Sequence, residues 1–175
     1  MAQPDVVEAT EPSLPFVRAA NWYHVSKRGI DRASLFPSPG DRDGFVRSLG
    51  HIAHDFAVEL HAFCAMDNHY HVLARASEAD LRRALAALDS DCSVATEGAL
   101  FRRMVFGRHL LQVTRYIHRN PVVAGLVTQP VEWRWSSYPR YVDPALGPRW
   151  VVSSAVLGCL GTVGNRQRYR RYVEG

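Results

Sequence analysis

Cysteine is scarce in this 175-residue sequence, and long apolar runs are missing from it. Cys64, Cys92 and Cys159 are widely separated and form no CxxC pair, which argues against a disulfide framework and against a zinc ribbon. No apolar run approaches the roughly 20 residues that a membrane-spanning helix needs. The opening MAQPDVVEATEPSLP carries acids and prolines where a signal peptide needs a basic start and an apolar stretch. The sequence therefore predicts a soluble cytoplasmic protein without a membrane partner.

The composition is that of an ordinary globular protein. Hydrophobic residues make up 47% of the chain and charged residues 22%, and the length suits one domain. The formal net charge is +4, with arginine far commoner than lysine. This balance weakly favours a polyanionic partner and, by itself, does not identify one.

Hydrophobic periodicity predicts four strands and three helices in the first two thirds of the chain. In order they are strand 21–29, helix 41–55, strand 57–66, strand 69–75, helix 77–88, strand 100–106 and helix 108–119. Asp41 and Ser77 are the expected helix caps, and Asp67-Asn68 is typical of a tight hairpin turn. Asn120-Pro121 marks the end of the last helix or a kink in it. The first six elements give the order βαββαβ, which predicts a ferredoxin-like α+β fold: one antiparallel sheet with helices on one face.

The chain is divided into three regions by this pattern. Residues 1–20 are expected to form a flexible leader, 21–140 the main domain, and 141–175 a short C-terminal extension. The basic run RQRYRRY at 166–172 is either an amphipathic terminal helix or a DNA-binding arm. The helix is the favoured interpretation, and the extension favours a monomer over a homodimer.

Four side chains stand out as candidates for chemistry. His69 and His71 are two residues apart in a predicted strand, so both imidazoles lie on one face, where they can bind a divalent metal. Tyr116 lies on the predicted helix 108–119, and Asn120 follows one turn later, where its amide oxygen can serve as a third metal ligand. Taken singly, the histidines can be unconnected polar side chains, and the tyrosine can be part of the core.

Four runs occur together in a characteristic order: HVSKRG (24–29), AMDNHYHVLAR (65–75), RYIHRNPVVAGLV (115–127) and WRWSSY (133–138). The combination resembles the IS200-like transposase family, and within it the REP-associated tyrosine transposases. The resemblance covers roughly residues 21–140, and the terminal YRRYVEG (169–175) is similar to the end of longer members. In this family HxH within MDNHYH is the metal-binding HUH motif, and YIHRNP carries the catalytic tyrosine.

The resemblance implies a single-strand DNA endonuclease and strand transferase that acts on single-stranded or hairpin DNA through a 5′-phosphotyrosine. It implies that His69 and His71 hold Mg²⁺ or Mn²⁺, with Asn120 as a third ligand, and that Tyr116 is the nucleophile. It also places Arg28 and Gly29 at the DNA. Further arginines flank the expected site and can contact phosphates: Arg32, Arg75, Arg102, Arg103, Arg115 and Arg119. Trp133, Trp135 and Tyr138 are either base-stacking platforms or, as favoured, core residues.

The sequence departs from the family between the metal motif and the tyrosine. His71 and Tyr116 are 45 positions apart, whereas most members have a longer segment with an Asn-rich turn and a Gly-aromatic-Arg motif. SDCSVATEGALFRR (90–103) stands in for this element, either as a shortened natural variant or as a decayed copy. Three functions therefore remain open: the enzyme, a non-catalytic DNA-binding descendant, and a metal-dependent hydrolase that does not use the tyrosine.

Overall fold

The computed structural model describes residues 20–90, 100–104 and 108–175, which form four strands and six α-helices. The strands are β1 (Asn21–Arg28), β2 (Glu59–Ala65), β3 (His69–Ala76) and β4 (Leu100–Met104). The helices are α1 (Pro39–Asp55), α2 (Glu78–Ser90), α3 (Arg108–Val123), α4 (Tyr138–Val142), α5 (Ser154–Gly158) and α6 (Asn165–Glu174). No helix in this part of the chain is long and apolar enough to cross a membrane. Residues 1–19 of the predicted leader and Cys92 lie outside the described residues.

The predicted ferredoxin-like arrangement is confirmed. The strands pair antiparallel in the order β2-β3-β1-β4. Helices α1 and α2 cover one face: the Phe45 ring of α1 lies 4.7 Å from the Tyr70 ring, and Asp89 of α2 pairs with Lys27 at 2.5 Å. Helix α3, which follows this unit, lies on the other face. A polar site between α3 and the sheet is therefore separated from the α1–α2 side.

Helix and strand ends mostly follow the predicted signals. The β2–β3 turn closes at Asp67-Asn68, where the Met66 amide donates to the His69 carbonyl at 2.9 Å. Ser77 Oγ accepts from the Asp80 amide at 3.1 Å and caps α2 as predicted. The predicted cap of α1 is wrong: Ser38 occupies that position, and Asp41 completes a capping box three residues later.

The end of α3 also differs from the prediction. The helix was expected to end or kink at Asn120-Pro121, but it runs on to Val123. Gly125, with φ of 70°, then takes the left-handed conformation that glycine adopts most readily at a helix end. The extra turn keeps Asn120 inside the helix and in register with Tyr116.

The WRWSSY run belongs to the core. Trp133 is buried and donates its indole N–H to the Ala65 carbonyl at 3.0 Å, while Tyr138 is fully buried. Trp135 is half-buried and donates to Asp43 at 2.8 Å. The base-stacking interpretation is therefore wrong for Trp133 and Tyr138, because their faces are already covered by protein.

The C-terminal region packs on the main domain through α6, which confirms a helix for the basic run. Tyr169 and Val173 are fully buried on its inner side. His118 of α3 is fully buried as well, with one ring nitrogen 2.8 Å from the Tyr169 hydroxyl and the other 2.7 Å from Ser137 Oγ. A neutral imidazole serves both contacts, since it has one donor and one acceptor nitrogen. His118 thus ties α3 to α6.

This buried histidine predicts an acid-sensitive fold. Burial lowers the pKa of His118 to about 3, whereas an unfolded histidine titrates near 6.5. Between about pH 6.5 and 3, His118 is therefore protonated in the unfolded chain but neutral in the folded chain. The free energy of unfolding should fall as the pH drops from about 6.5 towards 3, by up to about 1.4 kcal/mol per pH unit from this group. Urea titrations at pH 7.5, 6 and 5 measure the free energy of unfolding.

The matched variant is His118→Gln, which keeps a polar side chain but cannot titrate. It should be less stable than the wild type at pH 7.5 and should show a shallower decline in stability with acid. Identical declines in the two proteins would show that another group governs the acid sensitivity.

Candidate active site on the histidine face

The strand register brings three histidines to one face of the sheet. His69 and His71 alternate along β3, and they pair with Arg28 and Ser26 of β1. His24 lies two residues before Ser26 in β1 and so shares this side. We call this side, which α3 covers, the histidine face. Sequence reasoning identified His69 and His71 but not His24.

His71 lies at the centre of the group. Its side chain is buried, and its Nδ1 lies 3.1 Å from His24 Nε2. Its Nε2 is buried without a hydrogen-bond partner among the described residues. Burial, with smaller effects from His24, His69 and Arg28, lowers the pKa of His71 to about 3. The imidazole is therefore neutral at physiological pH and presents an unused nitrogen.

His69 is held in a similar way. Its Nδ1 lies 2.8 Å from the side-chain oxygen of Asn68, and the Asn120 side chain is close enough to affect its pKa. Burial and the positive charge of Arg28 lower the pKa of His69, although the Asn120 side chain and the negative charge of Asp67 act in the opposite direction. In both histidines Nδ1 has a partner, which is the pattern that orients metal-binding imidazoles.

Helix α3 places Tyr116 over these rings. The Tyr116 ring centroid lies 5.1 Å from that of His71 and 6.1 Å from that of His24, both edge-on. Unlike the buried tyrosines of the core, Tyr116 is 53% exposed. Asn120, one turn later, donates its amide N–H to the Tyr116 carbonyl at 3.2 Å, which turns its amide oxygen away from the helix backbone. The structure thus brings together all four residues for which the sequence predicts catalysis or metal binding.

The histidine face fits a divalent metal ion. Two neutral imidazoles with oriented rings, one of them with an orphaned buried Nε2, are suitable ligands. Across the described ranges, no three His, Cys, Asp or Glu side chains converge in metal-binding geometry. Asn120 adjoins His69 and carries an amide oxygen, a ligand type that divalent metals accept.

The turn that carries Asn68 and His69 is anchored to α1. Arg42, a buried arginine, pairs with Asp67, and its guanidinium lies 4.9 Å from the Trp135 ring centroid. The amides of Leu35 and Phe36 donate to the Asp67 carbonyl at 2.9 and 3.2 Å. The edge of the site is therefore held by Arg42 of α1 and by the loop that precedes this helix.

A solved transposase has the same fold. The structure, a REP-associated tyrosine transposase bound to a REP hairpin, matches with a TM-score of 0.59. The match covers 79% of this chain and 88% of the transposase at 17% sequence identity, a level of likeness that establishes the fold. No protein-family model and no curated protein matches the sequence.

Two of the arginines predicted to bind DNA lie near the His69 end of the histidine face. Arg28 is exposed at the end of β1, opposite His69 in the strand register. Arg32 is exposed on the following loop, and its carbonyl accepts from the side-chain amide of Asn68 at 3.3 Å. Asp31 and Arg32 have φ values of 52° and 61°, so this loop makes an unusually sharp turn.

The remaining predicted arginines have other surroundings. Arg75 lies six residues beyond His69, about 20 Å along the strand, and pairs with Glu59 at 3.3 Å. It is therefore not part of the site around the histidines. Arg115 and Arg119 donate to the Tyr172 and Val173 carbonyls at 2.7 and 2.8 Å, so they connect α3 to α6 near Tyr116. The backbones of Arg102 and Arg103 pair with His24 and Tyr23, and their side chains lie outside the described residues.

Gly29 has a structural role at this edge of the site. Its amide donates to the Asn68 carbonyl at 3.0 Å, and a Cβ here would overlap the Ala33 carbonyl oxygen. We expect Gly29→Ala to lower the free energy of unfolding by about 1–3 kcal/mol, because the loop must move away. Denaturant titration measures the change.

The matched control for this prediction is Gly44→Ala in α1, where the added Cβ would meet an arginine nitrogen at an ordinary 3.7 Å. That variant should be unchanged or up to about 1 kcal/mol more stable, since alanine favours helix. If both alanine variants had the same stability, the close approach at Gly29 would not be a real constraint.

Proposed function

We propose that this protein is a metal-dependent DNA endonuclease and strand transferase, a transposase that cuts single-stranded or hairpin DNA through a 5′-phosphotyrosine at Tyr116. One observation carries the proposal. An exposed phenol lies over a buried, neutral histidine whose Nε2 has no hydrogen-bond partner in the described structure. Structural packing alone gives no reason to leave a large aromatic side chain exposed above an unpaired buried nitrogen.

The proposed substrate rests on charge and on the shared fold. The solved transposase of this fold binds a REP hairpin, so hairpin or repeat DNA is the class we propose here. Arg28 and Arg32 are exposed next to the histidine face, where they can contact phosphates on either side of the cut. Such contacts hold the strand without reading its sequence, and they weaken as salt increases.

The tyrosine performs the covalent step. The Tyr116 hydroxyl oxygen attacks the scissile phosphorus and its proton leaves to water. The bond from phosphorus to the 3′-oxygen breaks, and that oxygen takes a proton from water. The products are a free 3′-hydroxyl and a DNA 5′-phosphate joined to Tyr116. Because the phosphodiester energy is kept in this bond, a 3′-hydroxyl can later attack the same phosphorus, release Tyr116 and rejoin the strand.

The surrounding residues orient this reaction. His69, His71 and Asn120 would hold Mg²⁺ or Mn²⁺, which when bound neutralises negative charge on the reacting phosphate. His24 fixes the His71 ring by its contact with Nδ1 of that ring. Asn68 fixes the His69 ring in the same way. The two Arg–carbonyl bonds from α3 to α6 keep the tyrosine helix in position over the sheet.

The proposal is tested by the formation of a covalent adduct. Purified protein is mixed with labelled hairpin oligonucleotides taken from the DNA flanking its own gene, with Mn²⁺ or with EDTA. We expect a band that survives denaturation with Mn²⁺ but not with EDTA. Mass spectrometry of the proteolysed adduct should locate the nucleotide on Tyr116.

The other functions give different results in this assay. Binding without any adduct, by folded protein with metal present, would support the non-catalytic DNA-binding descendant. Cleavage that yields free 5′-phosphate and no adduct would instead support a metal-dependent hydrolase.

A further inference from the structure

A pocket borders Tyr116 and Asn120, and the chemistry described above does not say what it holds. It lies between the outer side of α3 and the end of α6, with a volume of about 300 Å³. Tyr172 of α6 forms one wall, and six residues of α3 form the other: Gln112, Arg115, Tyr116, Arg119, Asn120 and Val123. The spacing of the α3 residues, three or four apart, places them on one stripe of the helix. The pocket is thus continuous with the phenol of the proposed nucleophile.

Two positive charges are fixed on the walls of this pocket. Arg115 and Arg119 donate to the Tyr172 and Val173 carbonyls, which lie in the last turn of α6, where carbonyls lack partners within the helix. Each guanidinium has five N–H groups, so one such bond leaves further donors for a ligand. The Arg115 guanidinium also lies 5.5 Å from the Tyr172 ring centroid. Both cations are therefore preorganised rather than free to move in solvent.

The walls combine the features that an unpaired nucleobase requires. The Tyr172 ring is half-buried, with the Arg115 guanidinium over one side of it, and its exposed part offers an aromatic surface. The guanidinium and Gln112 amide groups can bond to the edge of a base. The volume is at the small end of ligand pockets, which fits one base and excludes a duplex. The positive walls suit a ligand attached to phosphate.

We propose that this pocket, between α3 and α6, binds the base of the nucleotide on the 3′ side of the cut, stacked on Tyr172. The assignment rests on the proposed function, because that nucleotide is the one that stays joined to Tyr116. Since Tyr116 itself lines the pocket, the base bonded through it is the nearest candidate. The pocket then holds the cut strand in place until it is rejoined, and it gives the enzyme a base preference at one position.

The first test compares protein and DNA changes in the adduct assay. Tyr172→Leu should slow adduct formation by on the order of tenfold, as when the aromatic partner of a stacked base is removed. Tyr172→Phe keeps the ring and should stay within about twofold of the wild type. An abasic site 3′ to the cut should slow the wild type as much as Tyr172→Leu does, without slowing that variant further. The proposal would be overturned if Tyr172→Leu and the 3′ abasic site slowed adduct formation independently, so that their effects multiplied. A larger effect from an abasic site on the 5′ side would overturn it as well.

A second test does not depend on cleavage. Single-stranded oligonucleotides from the same flanking DNA carry one 2-aminopurine, moved one position at a time, and its fluorescence is read on binding. We expect strong quenching at one position with the wild type and with Tyr172→Phe, but not with Tyr172→Leu. Quenching without any adduct would support the pocket and reject the strand-transfer function. Adducts without Tyr172-dependent quenching would support strand transfer and reject the pocket. The absence of both adducts and quenching would reject both proposals.

Discussion

Replacing Tyr116 with phenylalanine is expected to abolish the covalent protein–DNA adduct. The change removes one oxygen, the atom that would attack phosphorus, and keeps the ring that lies 5.1 Å from His71. Tyr116 is 53% exposed, so the free energy of unfolding should change by no more than about 0.5 kcal/mol. The variant should also bind hairpin DNA with nearly wild-type affinity, because the arginine contacts remain. Denaturing gels with labelled DNA and Mn²⁺ measure the adduct, and gel shifts measure binding.

Tyr70→Phe is the matched control. Tyr70 stands between the two histidines in sequence but lies on the opposite face of the sheet, where its ring packs 4.7 Å from Phe45. Losing its hydroxyl should leave adduct formation intact. If Tyr116→Phe still formed the adduct at the wild-type rate, another residue would be the nucleophile and the proposed mechanism would be wrong. If it cut DNA without an adduct, the metal-dependent hydrolase would be favoured.

The local pattern of the sequence was enough to predict most of the fold. The βαββαβ order, the Asp67-Asn68 turn and the cap at Ser77 depend on short-range preferences, and each is confirmed. The errors arose where two local signals competed. Asp41 can cap a helix, but Ser38 with Pro39 behind it forms a better start and uses Asp41 in the capping box.

The site was predictable in part for the same reason. His69 and His71 share a face because they are two apart in one strand, and Asn120 follows Tyr116 by one turn of one helix. His24 was missed because its partner, His71, is 47 positions away, and the register of two strands decides the contact. A signal was present: His24, Ser26 and Arg28 alternate along β1, so they share a face that ends in a charged residue.

The surroundings of the arginines could not be read from the sequence. Arg28 and Arg115 look alike as basic residues near a motif, yet Arg28 is exposed beside His69, whereas Arg115 is bound to the Tyr172 carbonyl. Packing of α6 on α3 decides this difference, and it joins residues 57 positions apart. It also creates the pocket next to Tyr116, which no run of residues in the sequence indicates.

Replacing His71 with leucine is expected to remove metal binding while preserving the metal-free fold. Leucine fills the buried position, and the change also removes the Nε2 that is buried without a partner. The loss of the contact to His24 offsets part of that gain, so the metal-free free energy of unfolding should stay within about 1 kcal/mol of the wild type. Adduct formation should fall below detection.

Thermal unfolding with and without Mn²⁺ separates the two roles of His71. A ligand at 100 times its dissociation constant stabilises the folded state by about 2.7 kcal/mol, so the wild type should unfold at a clearly higher temperature with Mn²⁺. His71→Leu should show no such shift. His24→Phe, which removes the hydrogen-bond partner that orients the His71 ring, should need roughly 10–100 times more Mn²⁺ for the same shift.

His54→Leu controls for non-specific binding of Mn²⁺ to surface imidazoles. The His54 side chain is 89% exposed on α1, away from the histidine face, so this variant should respond to Mn²⁺ as the wild type does. Equal stabilisation of the wild type and His71→Leu would place the metal elsewhere. In that case the unpaired Nε2 of His71 would have a different function, and Tyr116 would have to act without a metal held by this histidine.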